Sequence, residues 1–405
     1  MWYTPVSGIW QTVWLESVPE RYVRSLLIRT DEKGAEIRAE GVTDGVIELQ
    51  EAGEEAPRIF VLKNGCARIE PERPHLWSPE DPYLYHFTLK AGEDEVSSYF
   101  ALRSFSAGTV TGIPRLLLNG EPYFFHGLLD QGYFSDGIYT APSPASYEED
   151  IRKMKALGFN THRKHNKIEP EQFYYDCDRL GMIVFQDMVN CGDYHFFRDT
   201  VLGTLRLPLS DKKRPFSEET RRNFLAAMEE TVKLLGSHPS IALWTIFNES
   251  WGQFEADAAY RRLKALDPGR LIDSTSGWFA QKESDVESRH VYFRKVKEVR
   301  GKRPFLLSEF GGYVYQIPAR SAVPDKVYGY KICKTREAFV KDLRDLYLEQ
   351  ILPLVPKGLC GAVYTQVSDV EEETNGLLTY DRKEAKITPE EFADIAPKLA
   401  EAVKA

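Results

Sequence analysis

The chain of 405 residues has only five cysteines, Cys66, Cys177, Cys191, Cys333 and Cys360. Their number is odd and no two stand in C-x-x-C spacing, so neither a disulfide framework nor a thiolate zinc site is indicated. No H-E-x-x-H occurs among the eight histidines. His162 and His165 stand three apart, which is weak evidence by itself, and neither a metal nor a cofactor is expected. No stretch approaches the ~18 consecutive apolar residues of a membrane span. Excess positive charge is missing too. Against 61 Asp and Glu there are 52 Lys and Arg, a net charge of −9, which makes nucleic acid and anionic membrane surfaces poor partners. The start lacks a basic stretch followed by an apolar one, so it does not read as a secretory leader and the expected location is cytoplasmic. Met1-Trp2-Tyr3-Thr4-Pro5-Val6-Ser7-Gly8-Ile9-Trp10 reads instead like the middle of a folded domain, as if the chain began inside something larger.

What is present is ordinary for a globular protein: 42% hydrophobic and 28% charged residues. At roughly 150 residues per domain the length allows two or three domains. The 7 Trp, 21 Tyr and 22 Phe suit a core and a sugar-binding face equally, so their number decides nothing.

Two regimes follow one another. Up to about residue 106, short alternating runs recur at Ile9–Glu16, Tyr22–Thr30, Ala35–Gly41, Val46–Gln50, Arg58–Leu62, Leu84–Lys90 and Val96–Ala101. Turn-forming stretches such as Thr43-Asp44-Gly45 and Lys63-Asn64-Gly65 separate them, the pattern of a β-sandwich. From about 107, apolar strand candidates alternate with helical stretches. Strands are expected at Tyr123–Gly127, Asn160–Arg163, Met182–Gln186, Ile241–Phe247, Arg270–Ser274, His290–Tyr292, Phe305–Ser308 and Gly361–Thr365. Ser146-x-x-Glu149 fits a capping box ahead of Ile151, Met154 and Leu157 at helical spacing. Eight strands alternating with helices predict a (β/α)8 TIM barrel.

Such a barrel carries its reactive groups past the C-terminal ends of its strands. Those positions hold His126, Asp130, Arg163, His165, Asp187, Asn248, Glu249, His290, Glu309 and Gln366. Any one of them is equally well a satisfied buried polar group; ten on one face are harder to explain. Two carboxylates stand out. Ser240–Phe247 is almost wholly apolar and runs into Asn248-Glu249. A carboxylate there loses hydration, its neutral form is favoured, and its pKa rises toward what a general acid needs. Glu309 likewise ends an apolar strand, followed by Gly311-Gly312, where the backbone turns without side-chain bulk. On the fourth and seventh strands the two face each other across the barrel mouth. A retaining glycosidase needs its two carboxyl groups ~5–5.5 Å apart; two ordinary surface glutamates are the alternative.

The chain resembles glycoside hydrolase family 2, the family of β-galactosidases, β-glucuronidases and β-mannosidases. The resemblance is carried by Gly8-Ile9-Trp10-Gln11, Leu76-Trp77-Ser78-Pro79 with Pro82-Tyr83-Leu84-Tyr85, Arg103-Ser104-Phe105, Leu118-Asn119-Gly120, Gly158-Phe159-Asn160 with Arg163, Phe247-Asn248-Glu249-Ser250-Trp251 and Ser308-Glu309-Phe310-Gly311. It implies a remnant of a jelly-roll sugar-binding domain in residues 1–22, an immunoglobulin-like β-sandwich in 23–106 and a catalytic (β/α)8 barrel in 107–405. It implies a retaining exo-β-glycosidase acting on a terminal, β-galactoside-like sugar, with Glu249 as acid/base, Glu309 as nucleophile and Asn248 on the sugar 2-hydroxyl. Two stretches depart from the familiar β-galactosidases, Leu128-Leu129-Asp130-Gln131-Gly132-Tyr133 and Arg163-Lys164-His165-Asn166-Lys167. The competing readings are a catalytically weak carbohydrate-binding remnant and an endo-acting barrel glycanase.

Supporting roles divide evenly. Asp130 and Asp187 are candidates for sugar hydroxyls, since a carboxylate accepts from two neighbours; Asp187 is equally a candidate ion-pair partner of Arg163. Arg163, His165 and His290 complete the polar set expected around the substrate. Trp251 and Trp278 are candidates for stacking on the sugar, with core packing as the alternative. Met188–Phe216 is long for a connector and is expected to form a lid or aglycone wall, or to be disordered. Asp369, Glu371, Glu372, Glu373 and Asn375 are expected to form a solvated loop, with a pocket rim or a cation site as the alternatives. The partner expected is a carbohydrate, with neither nucleic acid nor membrane, and self-association into a homo-oligomer is left open.

Overall fold

The alternating runs of the first hundred positions become antiparallel strands in the computed structural model, which describes residues 3–405 apart from 193, 203–209, 213 and 215. They are β1 (Ser25–Thr30), β2 (Ala35–Glu40), β3 (Asp44–Gln50), β4 (Arg58–Lys63), β5 (Cys66–Ile69), β6 (Tyr85–Ala91) and β7 (Asp94–Phe100), paired in the order β1-β2-β5-β4-β3-β6-β7. Only Lys63 and Cys66 pair between β4 and β5, around the Asn64-Gly65 turn. The sheet therefore folds over at that corner. Every second side chain, Ile28, Ile37 and Ile69 from one half and Ile47, Leu49, Leu62 and Leu89 from the other, is buried in the core between the layers.

Ile9–Glu16 does not form a strand. Residues 3–22 carry no helix or strand, and Ile9 and Leu15 are 85% and 100% exposed. A strand exists only where a neighbour takes up its backbone groups, and among the described residues no strand pairs with this segment. It runs instead as an irregular strap across the barrel mouth. The Gln11 side chain donates to the Ile168 carbonyl at 2.9 Å, and the Trp10 ring meets Tyr139 edge-on with centroids 4.6 Å apart. Met1 and Trp2 lie outside the described residues.

A small sheet, β8 (Phe105–Val110), β9 (Ile113–Leu118) and β10 (Glu121–Pro122), leads into the barrel. Its parallel strands are β11 (Phe125–Asp130), β12 (Thr161–Lys164), β13 (Ile183–Asp187), β14 (Ile241–Asn248), β15 (Leu271–Ser276), β16 (Glu287–Val291), β17 (Phe305–Phe310) and, after the short pair β18 (Tyr313–Val314) and β19 (Lys331–Ile332), β20 (Leu359–Tyr364). They pair in the order β15-β14-β13-β12-β11-β20-β17-β16, a barrel closed except at the seam between β15 and β16. The first strand starts two residues later than its apolar run predicts, because Glu121-Pro122 pairs back onto β9.

The strands are apolar throughout because both faces are covered. Phe125, Phe185, Leu243 and Leu306 point inward and form one cluster with Trp77, Phe105 and Leu116, which stopper the lower end of the barrel. Trp244 and Leu307 point outward, into the cluster that holds Met154, Phe173 and Met228 of the helices. Helix Glu218–Leu235 is capped by the Ser217 hydroxyl, which accepts from Thr220 N at 3.0 Å, and buries Phe224, Met228, Val232 and Leu235. Helix Ala145–Ala156 has Pro144 at its cap position, two residues before the expected cap Ser146, so the Ser146–Glu149 box does not form. Among the described residues, no helix is long and apolar enough to cross a membrane.

Trp77 ties the parts together. It is fully buried, its indole donates to the Asp178 carbonyl at 2.7 Å, and its own carbonyl accepts from Asn119 at 3.0 Å. Trp77→Ala is expected to cost about 3–5 kcal/mol of stability, as emptied aromatic sites do, read as a lower midpoint in chemical denaturation. An unchanged midpoint would contradict its role as the bolt between sandwich and barrel.

Candidate active site

Strand ends supply the chemistry. Asn248 closes β14, and the next two residues, Glu249 and Ser250, adopt left-handed backbone angles, φ 50° and 64°. Such angles are costly for residues with a Cβ and persist only where the surroundings impose them. Here Glu249 N donates to the Ser276 carbonyl at 3.0 Å. Across the mouth, the ladder between β17 and β20 slips between Leu307 and Phe310, and that between β16 and β17 slips between Arg289 and His290. Irregularities of this kind re-aim side chains. Gly311, at φ 81°, follows at once; a Cβ there would lie 2.4 Å from the Tyr364 ring.

These turns bring Glu249, His290 and Glu309 together. One carboxylate oxygen from each glutamate and one ring nitrogen of His290 lie within 4.8 Å of one another. His290 Nδ1 is 2.8 Å from Glu249 Oε1 and 3.6 Å from Glu309 Oε2. The Tyr292 hydroxyl donates to Glu309 Oε2.

Arg163 organises the floor. Its guanidinium, 1% exposed, donates from Nε and Nη2 to the two oxygens of Asp187 at 3.0 and 2.9 Å, from Nη1 to Glu309 Oε1 at 2.9 Å and from Nη2 to Asn248 Oδ1 at 2.8 Å. Because Asn248 Oδ1 is taken, its amide nitrogen is the group left to donate into the cavity. Arg163 Nη1 also lies 3.3 Å from His290 Nε2.

The electrostatics follow from burial and neighbours. Burial pushes Glu249 up to about 7; His165 and Arg163 pull the other way, and Glu373 adds to the rise. The open 26% of the Glu249 side chain faces the cavity. Burial also lowers His290 to about 4, so the ring is neutral. Burial opposes the charge on Arg163, but Asp187 and then Glu309 hold its pKa above the ordinary arginine value. Asp187 is held below the usual carboxylate range, the cost of burial being outweighed by Arg163 and His165.

The cavity above this floor has a volume of about 350 Å³. His165, Asn248, Glu249, Trp251, Trp278, His290 and Glu309 all line it. Asp130, Arg163 and Asp187 do not, which corrects the expectation that they touch substrate. Asp130 is committed to Lys164 Nζ at 2.6 Å and to Gly132 N at 2.9 Å. Asp187 is fully buried, bidentate to Arg163 and bonded to His165 Nδ1 at 2.9 Å, so the ion-pair alternative is the one observed. His126 points away from the mouth, packed on Phe159 and bonded to the Gly158 carbonyl at 3.0 Å.

The loop after β20 is solvated only in part, at the half-buried Glu371 and Glu372. Asp369 is buried against Lys386 at 2.6 Å, and Glu373, 5% exposed, lines the cavity. Of Met188–Phe216, Tyr194 and Asp199 line the cavity; Asp193, residues 203–209, Lys213 and Pro215 lie outside the described residues. Glu373 had a place on the pocket rim only as an alternative reading, and Tyr292, Tyr330 and Tyr3 are cavity residues that sequence reasoning missed. For Tyr292 a signal existed, since period-2 alternation puts it on the same face as His290. Tyr330, stacked on Tyr292 with centroids 3.8 Å apart, comes from a distant loop with no local signal.

Comparison with known proteins agrees with this architecture. Residues 111–385 match the model of the family 2 glycosyl hydrolase TIM barrel domain, and residues 25–103 match the model described as glycosyl hydrolases family 2. The chain is similar to a β-glucuronidase of Sus scrofa, 24% identical over 300 residues, 69% of this chain and 43% of that protein. A β-galactosidase of Halalkalibacterium halodurans is 24% identical over 341 residues, 75% of this chain and 32% of that protein. The chain thus spans less than half the length of these curated relatives. Among solved structures, a β-D-glucuronidase of Dictyoglomus thermophilum superposes with a TM-score of 0.70 at 16% identity, covering 93% of this chain and 68% of the other. A β-galacturonidase of Eisenbergiella tayi does so with a TM-score of 0.63 at 18% identity, covering 93% and 72%. With its barrel model matched from residue 111 to 385, the chain belongs to glycoside hydrolase family 2.

Proposed function

We propose that the chain is a retaining exo-β-glycosidase that releases a terminal β-linked sugar, of the β-galactoside kind, through a covalent glycosyl-enzyme intermediate. The carrying observation is the approach of Glu249 and Glu309, with an oxygen of each and a His290 nitrogen within 4.8 Å of one another. Retaining pairs stand ~5–5.5 Å apart, whereas inverting pairs leave ~6.5–9.5 Å for a water. The names of the similar proteins, β-galactosidase, β-glucuronidase and β-galacturonidase, share a terminal β-linked sugar and differ in which one. A cavity of about 350 Å³, walled by Trp251, Trp278, Tyr330 and Tyr3, suits a chain end better than the middle of a polymer.

In this reading Glu249, protonated near neutral pH, gives its proton to the departing oxygen. Glu309, aligned by Arg163 and Tyr292, attacks the anomeric carbon from the other side. The Asn248 amide, turned outward by Arg163, donates to the 2-hydroxyl oxygen as the ring gains oxocarbenium character. Glu249 then takes a proton from water, which cleaves the ester and regenerates both carboxyl groups.

Hydrolysis of a series of aryl β-glycosides tests the reading; release of sugar from none of them by the folded chain overturns it. The pH dependence tests the acid. A group that must be protonated and titrates at about 7 keeps its proton below that pH and loses it above. The alkaline limb of kcat/KM is therefore expected near pH 7. Glu249→Gln is expected to flatten that limb and to harm poor leaving groups far more than activated aryl ones. Equal loss for both kinds would contradict the assignment of Glu249.

A further inference from the structure

The catalytic cavity has a neighbour on the side of its aromatic wall. A second cavity of about 510 Å³ adjoins it, and the two share Val291, Tyr292, Phe293, Arg294 and Tyr330 in their linings. Four of these five residues end β16 or begin the loop that leaves it. His290, whose Nδ1 is 2.8 Å from Glu249 Oε1, stands three positions before Phe293 and four before Arg294. The loop therefore starts beside the carboxyl that, in the reading above, protonates the departing oxygen. That is the side of the leaving group.

The charge of this loop differs from that of the chain. Residues 294–303 hold six Lys and Arg and one Glu, in a protein of net charge −9. Arg300 is taken by Glu298 at 2.6 Å and Arg303 by Glu287 at 3.0 Å. Arg294 and Lys295 are exposed and have no ion pair or hydrogen bond through their side chains among the described residues. Arg294 is the one arginine or lysine among the described residues lining the catalytic cavity, and it lines the second cavity as well, beside Lys295. Lys331, a third cation there, is answered by Asp342 at 2.8 Å, and Glu349 is the one carboxylate among the described residues of that lining.

An aromatic ring accompanies the free cations. Phe293 is 79% exposed, yet its ring is held edge-on to Tyr330 with centroids 5.0 Å apart, and Tyr330 is stacked on Tyr292. A ring fixed at a cavity mouth offers an apolar face to a sugar or an aryl group. An unpaired arginine beside it offers a planar fork that matches the oxygens of a carboxylate or sulfate two at a time. The terminal sugar belongs on the buried floor, with Asn248, Glu249 and Glu309; Arg294 stands at the exposed rim. The anion it suits is therefore carried by the leaving group.

Resting on the glycosidase reading, we propose that Phe293 and Arg294, with Lys295 beside them, form a leaving-group subsite for an anionic aglycone. The substrate class is a terminal β-linked sugar attached to a ring that bears a carboxylate or a sulfate. Phe293 stacks on that ring, and Arg294 takes its anionic oxygens. Arg294 is a specificity-determining residue that reads the leaving group and leaves the terminal sugar to the floor.

The test first finds, with p-nitrophenyl β-glycosides, the sugar that the full chain releases. That sugar is then offered on neutral 4-methylumbelliferone and on umbelliferone-3-carboxylate, a leaving group of similar size that carries a negative charge. The two differ in more than charge, so the readout is how the ratio of their kcat/KM values changes on substitution. Arg294→Gln is expected to lower the ratio of anionic to neutral substrate at least about fivefold, through KM more than kcat, because the contact is the same in the ground and transition states. Arg294→Lys is expected to keep most of the ratio, and Arg294→Glu to lower it further than glutamine does. Raising salt from about 0.02 to 0.5 M is expected to shrink the ratio of the unaltered chain and to move that of Arg294→Gln little, since exposed charges are screened. Disaccharides whose second ring is a uronate or a 6-sulfated hexose, each against its neutral parent, separate the sources of the anion. The pair whose ratio falls with Arg294→Gln names the source, and a fall confined to the coumarin pair assigns it to an aryl acid. A ratio that Arg294→Gln leaves unmoved in every pair, or an effect seen only when the terminal sugar itself is a uronate, overturns the proposal. Release of sugar from none of the p-nitrophenyl glycosides overturns the glycosidase reading and this proposal with it, whereas release with unmoved ratios overturns this proposal alone.

Discussion

Glu309→Gln is expected to lower kcat by about 10⁴-fold or more, roughly 5.5 kcal/mol of lost transition-state stabilisation at 1.36 kcal/mol per decade. The amide is isosteric and keeps one oxygen to accept from Arg163, its NH2 then facing the Tyr292 hydroxyl, but it has no anionic oxygen to form the glycosyl ester. The unaltered chain, incubated with an activated 2-fluoro-2-deoxy-glycoside, is expected to gain the mass of one glycosyl unit, because the fluorine slows both formation and breakdown of the ester while the activated leaving group restores formation alone. The Glu309→Gln chain is expected to gain nothing. A labelled peptide that does not contain Glu309 would overturn the nucleophile assignment. Glu309→Ala leaves space where the carboxylate stood; a small anion such as azide is expected to restore part of the rate there and to yield the α-glycosyl azide, since it attacks from the nucleophile's side.

The second large effect belongs to Arg163, and it falls on folding as much as on turnover. Four side chains converge on one guanidinium that is 1% exposed: Asp187, Glu309, Asn248 and the His290 ring. Removing one partner of a buried ion pair leaves the other charge stranded, at a cost of about 3–5 kcal/mol. Arg163→Met is therefore expected to lower the denaturation midpoint steeply. Arg163→Lys keeps the charge but cannot span Asp187, Glu309 and Asn248 from one planar fork. It is expected to recover most of the stability and little of kcat, with KM less affected because Arg163 does not line the cavity. Full activity in the lysine variant would show that charge alone suffices. The lattice also has a pH signature. Asp187 is held below its ordinary range, so its contribution is complete at neutral pH and is lost as pH falls through the depressed value.

Particular elements separate what is legible from what is not. The strand Ile241–Asn248 can be read directly, since an apolar run of that length leading into Asn-Glu fits little besides a buried barrel strand in an alternating β/α chain. Helix Glu218–Leu235 is legible from its spacing and its serine cap. The run Ile9–Glu16 misleads. Its alternation is real, but alternation records which faces differ in polarity and not whether a partner strand exists. Glu373 misleads in the opposite sense: Glu371-Glu372-Glu373 reads as solvated, yet its third member is buried while its first is bonded to Thr4 N at 2.9 Å at the surface. Asp130 and Asp187 are legible as strand-end carboxylates, but whether such a group meets sugar or a buried cation depends on side chains 34 and 24 positions away, Lys164 and Arg163.

By itself, the sequence determined the layered sandwich, the eight-stranded barrel, the family and the two carboxylates worth watching, because periodicity and strand-end polarity are local and survive in one dimension. Only the tertiary structure decided that an oxygen of Glu249 and one of Glu309 stand within 4.8 Å, that Arg163 serves the floor rather than the substrate, and that Tyr3 reaches Glu373. Those facts rest on barrel closure, two slips in strand register and a strap without secondary structure. Each brings together residues tens to hundreds of positions apart, at distances where a few ångströms change the chemistry.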